Sequence, residues 1–151
     1  LAAQSLDLKA GQAVDRVGLM LGLRFPCGPQ LERLALTWPQ ATASRPSMKG
    51  ADCSLSGIEN QCRAMVEQGQ PAAGIARFCL DSIAAALDEM CGRLLRELGP
   101  LPVVFSGGVC SCSLLRDRLG EKYGAAFAAP EFSADNAAGA AILAYRGRFG
   151  S

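Results

Sequence analysis

Val103-Val104-Phe105-Ser106-Gly107-Gly108-Val109 carries a short apolar run straight into a double glycine. Pro100 and Gly107 bound the apolar run 101–105, so it reads as a buried strand. Beyond the glycines, Ser111 or Ser113 caps a helix reaching Tyr123, and Ala125 to Ala128 adds a short strand. Strand, helix and strand in this order define an α/β unit.

The strongest periodic signal lies just upstream. Ile75, Cys79, Ile83, Leu87, Met90, Leu94 and Leu98 recur every three or four residues between Pro71 and Gly99-Pro100, which predicts a long amphipathic helix. Val14, Val17, Leu21 and Leu23 mark an earlier helix from Gly11, ended near Gly22. Phe25-Pro26-Cys27-Gly28-Pro29 then fixes a turn, and a short helix follows over 30–36. Residues 37–51 lack sustained periodicity and read as a loop. Asp52 to Leu55 alternates like a short strand, and Ser56 caps a helix to about Glu67, ended by Gly69. Asp135 caps a last small-residue helix over 136–146. The chain is therefore expected to be helix-rich α/β, in one domain over 1–151.

Half of the residues are hydrophobic and 19% are charged, a globular composition. The net charge of +1 provides no global field to draw in nucleic acid or anionic membrane, so any RNA contact must be local. Arg116, Arg118, Arg146 and Arg148 are candidates for phosphate contact, against the plainer reading of a solvated face. No apolar run is long enough to span a bilayer, and a soluble, cytoplasmic protein without membrane contact is expected. Seven cysteines without a disulfide-framework spacing agree with a reducing compartment. The chain opens on Leu1 without a signal pattern and reads as a piece of something longer.

Few residues announce chemistry by themselves. Gly107 and Gly108 present backbone N–H groups beside a helix start, a junction suited to phosphate or simply a tight turn. Asp15 reads as a solvated carboxylate or the partner of a neighbouring charge, and Gly28 as a turn glycine. Asp52 and Ser54 carry no signature beyond strand entry. Asp135-Asn136 offers a helix cap or, with further ligands, a metal contact. The chain has no histidine, so an internal Ser-His-Asp or Cys-His pair is excluded and any imidazole ligand must come from elsewhere. Cys110 and Cys112 sit near a helix start, where a thiolate is favoured, although small buried cysteines are the commoner case.

In their order, these blocks resemble the glycoprotease family, whose best-known members transfer a threonylcarbamoyl group to adenosine of tRNA. Ser5-Leu6-Asp7, Gly11 through Arg16, Leu21-Gly22-Leu23 and Phe25 through Pro29 are similar to that family's S-I-D-D-A-x-G-E-A-x-D-K…L-G-L-x-Y-P-G-G-P block. Asp52 through Ile58 resembles D-F-S-F-S-G-L, Gly107 through Arg116 resembles G-G-V-x-x-N-x-x-L-R, and Asp135-Asn136-Ala137-Ala138 resembles D-N-x-x-M-I-A.

The resemblance implies the second lobe of an actin, sugar-kinase and heat-shock-chaperone-like (ribonuclease H-like) ATPase fold, with a helical insertion over about 11–48 and the first lobe missing. It implies ATP or an acyl-adenylate held by Asp15, Gly28, Gly107, Gly108 and the position of Cys112. It implies a divalent metal, iron or zinc, bound through Asp135 with histidines of the first lobe. It also implies tRNA and a family-related dimer subunit as partners. Three departures point to a divergent paralogue: Cys112 replaces the family's asparagine, Cys27 a glycine, and Glu59-Asn60 the usual Lys-Thr. The alternatives are a non-catalytic paralogue acting as a dimerisation subunit, or the family's older label of metal-dependent glycoprotein endopeptidase.

Overall fold

Helix α4, Ala72–Leu98, is the element on which the others lean. A computed structural model of the chain describes residues 1–129. Its elements run α1 (Ala10–Met20), α2 (Gly28–Leu36), β1 (Ser47–Lys49), β2 (Asp52–Ser54), α3 (Ser56–Glu67), α4, β3 (Val104–Phe105), a 3-10 turn (Gly108–Ser111), α5 (Ser113–Tyr123) and β4 (Ala126–Phe127). The expected final helix over 136–146 lies outside the described residues, with Asp135, Arg146 and Arg148.

The amphipathic reading of α4 describes only part of it. Ile75, Cys79 and Ile83 are buried as their spacing requires, but so are Ala76, Leu80, Ser82, Ala84, Ala85 and Ala86 on the remaining faces. Helices α1, α2, α3 and α5 all contact α4, and its run of alanines lets their backbones come close. The periodic stripe fails at its end, where Leu98 is exposed.

Ionic and polar contacts join the helices. Glu59 on α3 accepts from Arg16 on α1 and from Arg63, both at 3.0 Å, so one carboxylate pins α1 to α3. Asp88 on α4 accepts from Lys122 Nζ at 2.6 Å and from the Tyr123 hydroxyl at 2.5 Å, with Arg118 at 3.6 Å, which fixes the end of α5. Burial and the Asp88 carboxylate both push the Tyr123 phenol up, so it stays a neutral donor.

The segment over 37–51 contains a strand after all. Ser47–Lys49 pairs antiparallel with β2, Ser47 opposite Ser54 and Lys49 opposite Asp52, with Gly50 at φ +60° in the turn. Three-residue strands are too short for periodicity to reveal. The rest of the segment is strapped onto α4. Thr42 N–H donates to Asp81 Oδ2 at 3.0 Å, Ser44 N–H to Ser82 Oγ at 2.9 Å, and Arg77 Nη1 to the Trp38 carbonyl at 3.3 Å.

The start of α3 is capped from a distance. Ser56 is its first helical residue, not its cap; Leu55 holds the cap position without a side-chain bond. Asp7 supplies the bonds instead. Its Oδ1 accepts from Leu55 N–H at 2.8 Å, and its Oδ2 from the Ser56 hydroxyl at 2.6 Å and the Ser56 N–H at 3.3 Å. The neighbouring Ser5 bridges Cys53 in parallel, placing Asp7 there.

Burial by itself would raise the Asp7 carboxyl, but these bonds and the Leu8 N–H outweigh it and lower it from 3.8 to about 2. A depressed carboxyl stabilises the fold fully above its unfolded value and loses that contribution as pH falls towards 2. Asp7→Asn is therefore expected to cost about 1 kcal/mol at neutral pH, the scale of a lost cap moderated by solvent screening. In acid titrations followed by circular dichroism, the stability difference between wild type and variant should shrink between pH 3.8 and 2. A constant difference across that window would refute the assignment.

Strands β3 and β4 pair in parallel, Val104 opposite Ala126 and Phe105 opposite Phe127, with α5 as the crossover. Phe105 and Phe127 stack with ring centroids 5.1 Å apart, and the Arg116 guanidinium lies 5.2 Å from the Phe127 centroid. The strand is not buried on both faces as its composition suggested. Val104 is 68% exposed, because alternate residues of the two-stranded sheet point away from the helices.

Candidate functional site

The turn before α2 is built on α1. Gly18 has no side chain where the fully buried Cys27 lies: a Cβ on it would come within 2.3 Å of Cys27 Cβ. One helical turn earlier on a neighbouring face, Asp15 turns back and accepts the Cys27 N–H on Oδ1 at 2.8 Å. Asp15 is thus neither freely solvated nor paired with a charge. It is half-buried and clamps the turn that carries Gly28, while its Oδ2 makes no hydrogen bond to the described residues.

The second segment is the junction after β3. Gly107 has φ +105°, a conformation that suits glycine, and none of the described residues lies within 4 Å of where a Cβ of Gly107 or Gly108 would stand. The chain then makes a 3-10 turn before α5, and Cys112, not Ser111 or Ser113, holds the cap position of α5.

Two contacts join these segments. Val109 is the nearest neighbour of Gly11, at 3.9 Å from its added Cβ, and Gly11 lies one helical turn before Asp15 on the same face of α1. On α2, Glu32 lies one turn after Gly28, and its Oε1 accepts from Ser113 N–H at 2.7 Å and from the Ser113 hydroxyl at 2.6 Å. Asp15 and Gly28 are thereby brought towards Gly107, Gly108 and Cys112, from sequence blocks about 80 to 100 residues apart in the chain.

The electrostatics bear on the helix start and on its cysteines, where the buried, neutral reading is the one that holds for Cys112. Glu32 already fills the N-terminus of α5, so that helix end is not open to a phosphate; the open backbone is at the two glycines. Nor is the helix start a place for a thiolate. Burial pushes the Cys112 thiol up to about 11, helped by the nearby Glu32 carboxylate and opposed by the N–H groups of Leu114 and Leu115. Burial raises Cys110 as well. Both remain neutral thiols at pH 7. Cys112 therefore contributes neither an amide nor a charge.

Of the arginines proposed for phosphate contact, Arg118 pairs with Asp88 and Arg116 covers Phe127. No group of three or more Cys, Asp or Glu among the described residues lies close enough to hold a metal ion. The described residues do not by themselves fit the expected metal, and Asp135 lies outside them. Glu32 and Asp7 are the residues that sequence reasoning missed here, since each acts on a helix far away in sequence; a carboxylate one turn after Gly28 was the available signal.

The family model of tRNA N6-adenosine threonylcarbamoyltransferase (TsaD) matches residues 1–142. The chain belongs to that family. Its helix-rich α/β fold agrees with this membership, and no helix among the described residues is long and apolar enough to cross a membrane.

Proposed function

We propose that this chain forms one wall of an adenylate-binding cleft in a protein that transfers a threonylcarbamoyl group to an adenosine of tRNA. The observation that carries the reading is the division of labour at Asp15. One oxygen holds the Cys27 N–H, while the other makes no hydrogen bond to the described residues and is suited to accept from a ribose hydroxyl. Gly28, Gly107 and Gly108 leave the backbone bare where a nucleotide approaches. The chain's contribution is to bind and orient, which is where positioning lowers the barrier for acyl transfer. Family membership supports the reaction class. The metal reading rests on Asp135 and on ligands from a first lobe of the actin-like ATPase fold that the resemblance implies.

Titration calorimetry with ATP of the protein carrying both this chain and the first lobe tests this. Wild type is expected to bind, and Asp15→Ala to bind at least tenfold more weakly, about 1.4 kcal/mol. Absence of binding by the folded wild type, or equal binding by Asp15→Ala, would refute the cleft.

Cys112 favours a second reading, a non-catalytic pairing subunit. A buried neutral thiol replaces an amide that both donates and accepts, and an adenylate contact is lost with it. A chain that associates with a family partner yet ignores ATP would select this reading.

A further inference from the structure

At the far end of α2 from Gly28, a cavity of about 470 Å³ opens between the loop after α2 and the α3–α4 hairpin. Its size is that of a small-molecule site. Trp38, Met65 and Phe78 give it an apolar surface, and no charged residue among the described ones lines it. Trp38 is held in place: its carbonyl accepts from Arg77, and its indole rests on Gly74, where an added Cβ would come 3.3 Å from the ring.

The rim is made of carboxamides. Gln40, Gln61, Gln68 and Gln70 all line the cavity. Gln70 Nε2 donates to Gln68 Oε1 at 3.0 Å and Gln61 Nε2 to the Gly57 carbonyl at 3.2 Å. The Gln40 carboxamide, Gln68 Nε2, Gln70 Oε1 and Gln61 Oε1 make no further hydrogen bond among the described residues. An aromatic platform ringed by neutral groups that both donate and accept selects a flat, uncharged ligand with donors and acceptors along its edge. That is the chemistry of a nucleobase, which proteins read by stacking and by carboxamide pairing.

A cation for the adjoining phosphate is close. Gln61 also lines a second, small pocket, together with Ser44, Ser47 and the exposed Arg45, which forms no ion pair with the described residues. The two sites are therefore contiguous.

We infer that this cavity binds an unpaired base of the RNA substrate, one flanking the adenosine that reacts, with Arg45 beside its phosphate. The inference rests on the tRNA reading above. Helix α2 has nine residues and rises about 1.5 Å per residue, which sets the cavity one short helix away from the proposed adenylate wall.

Trp38 is the chain's single tryptophan, so its fluorescence reports on the cavity directly. Single-stranded hexaadenylate should quench it saturably, and a stable G·C-closed RNA hairpin whose bases are all paired, offered as the duplex, should do so at least fivefold more weakly. The double variant Gln68→Ala/Gln70→Ala should bind the single strand at least fivefold more weakly with unchanged circular dichroism. Arg45→Ala should lower the salt slope by about one. No quenching, equal quenching by the duplex, or full affinity in the glutamine variant would overturn the inference. Equal affinity for free adenosine would overturn the RNA source, and a proline-rich peptide that quenches where RNA does not would replace it with a peptide site. The two readings separate cleanly: Asp15→Ala should leave hexaadenylate binding intact, and a wild type that binds ATP but not the single strand sinks this inference alone. A wild type that binds the single strand but ignores ATP sinks the adenylate wall alone.

Discussion

Asp81→Ala is expected to lower the stability of the chain by about 3 kcal/mol, the scale of breaking a buried ion pair by removing one partner. Asp81 is 7% exposed, and its Oδ2 accepts both from Arg77 Nε at 2.8 Å and from Thr42 N–H at 3.0 Å. Without it, an arginine whose side chain is only 17% exposed is left without its counter-charge, and a loop N–H loses its acceptor. Asp81→Asn keeps an acceptor for Thr42 and removes only the charge, so it should cost less. Urea midpoints at constant slope give the comparison. Equal losses for the two variants would show that the charge, not the tether to the loop, carries the effect. A loss below 1 kcal/mol for alanine would refute the account.

Gly18→Ala should have an effect of similar size. The new methyl would stand 2.3 Å from Cys27 Cβ and 2.7 Å from its Sγ, and neither α1 nor the clamped turn has a flexible end to give way. Overpacking of this kind costs about 1–3 kcal/mol or more. Cys27→Gly removes both atoms, leaving the Cys27 Cα at 3.7 Å, an ordinary contact. The double variant should therefore recover most of the loss, with a favourable coupling in the double-mutant cycle measured by urea unfolding. Additive losses would show that Gly18 does not serve as the space for Cys27. The pairing also gives a physical reason for a cysteine where the family resemblance leads one to expect glycine: this chain has a hole to receive it.

Local signals were legible wherever a stretch was long enough to repeat. Helices α1 and α4 follow from their apolar spacing, α2 and α3 from the turn and polar residues that precede them, and the strand, helix and strand around Gly107 from punctuation by glycine and proline. What escaped depends on partners far away in sequence. Asp7 reads as an unremarkable carboxylate until Ser56 lies beside it, 49 residues on. Asp81 hides within the apolar stretch of α4, although an arginine four residues earlier was a readable hint. Val104 looked buried because composition reports what a residue prefers, not whether a second layer covers it. Within the candidate site, the residue types were legible and their convergence was not. Sequence blocks reveal which glycines and carboxylates to watch, but Glu32 reaching Ser113 is a property of the folded chain.

That single carboxylate ties the start of α5 directly to α2. Because α2 begins at the Gly28 turn and its Glu32 accepts the first amide of α5, the two segments are fastened by a side chain as well as through the core that Leu31 and Cys112 share. A displacement of either segment should therefore carry the other with it.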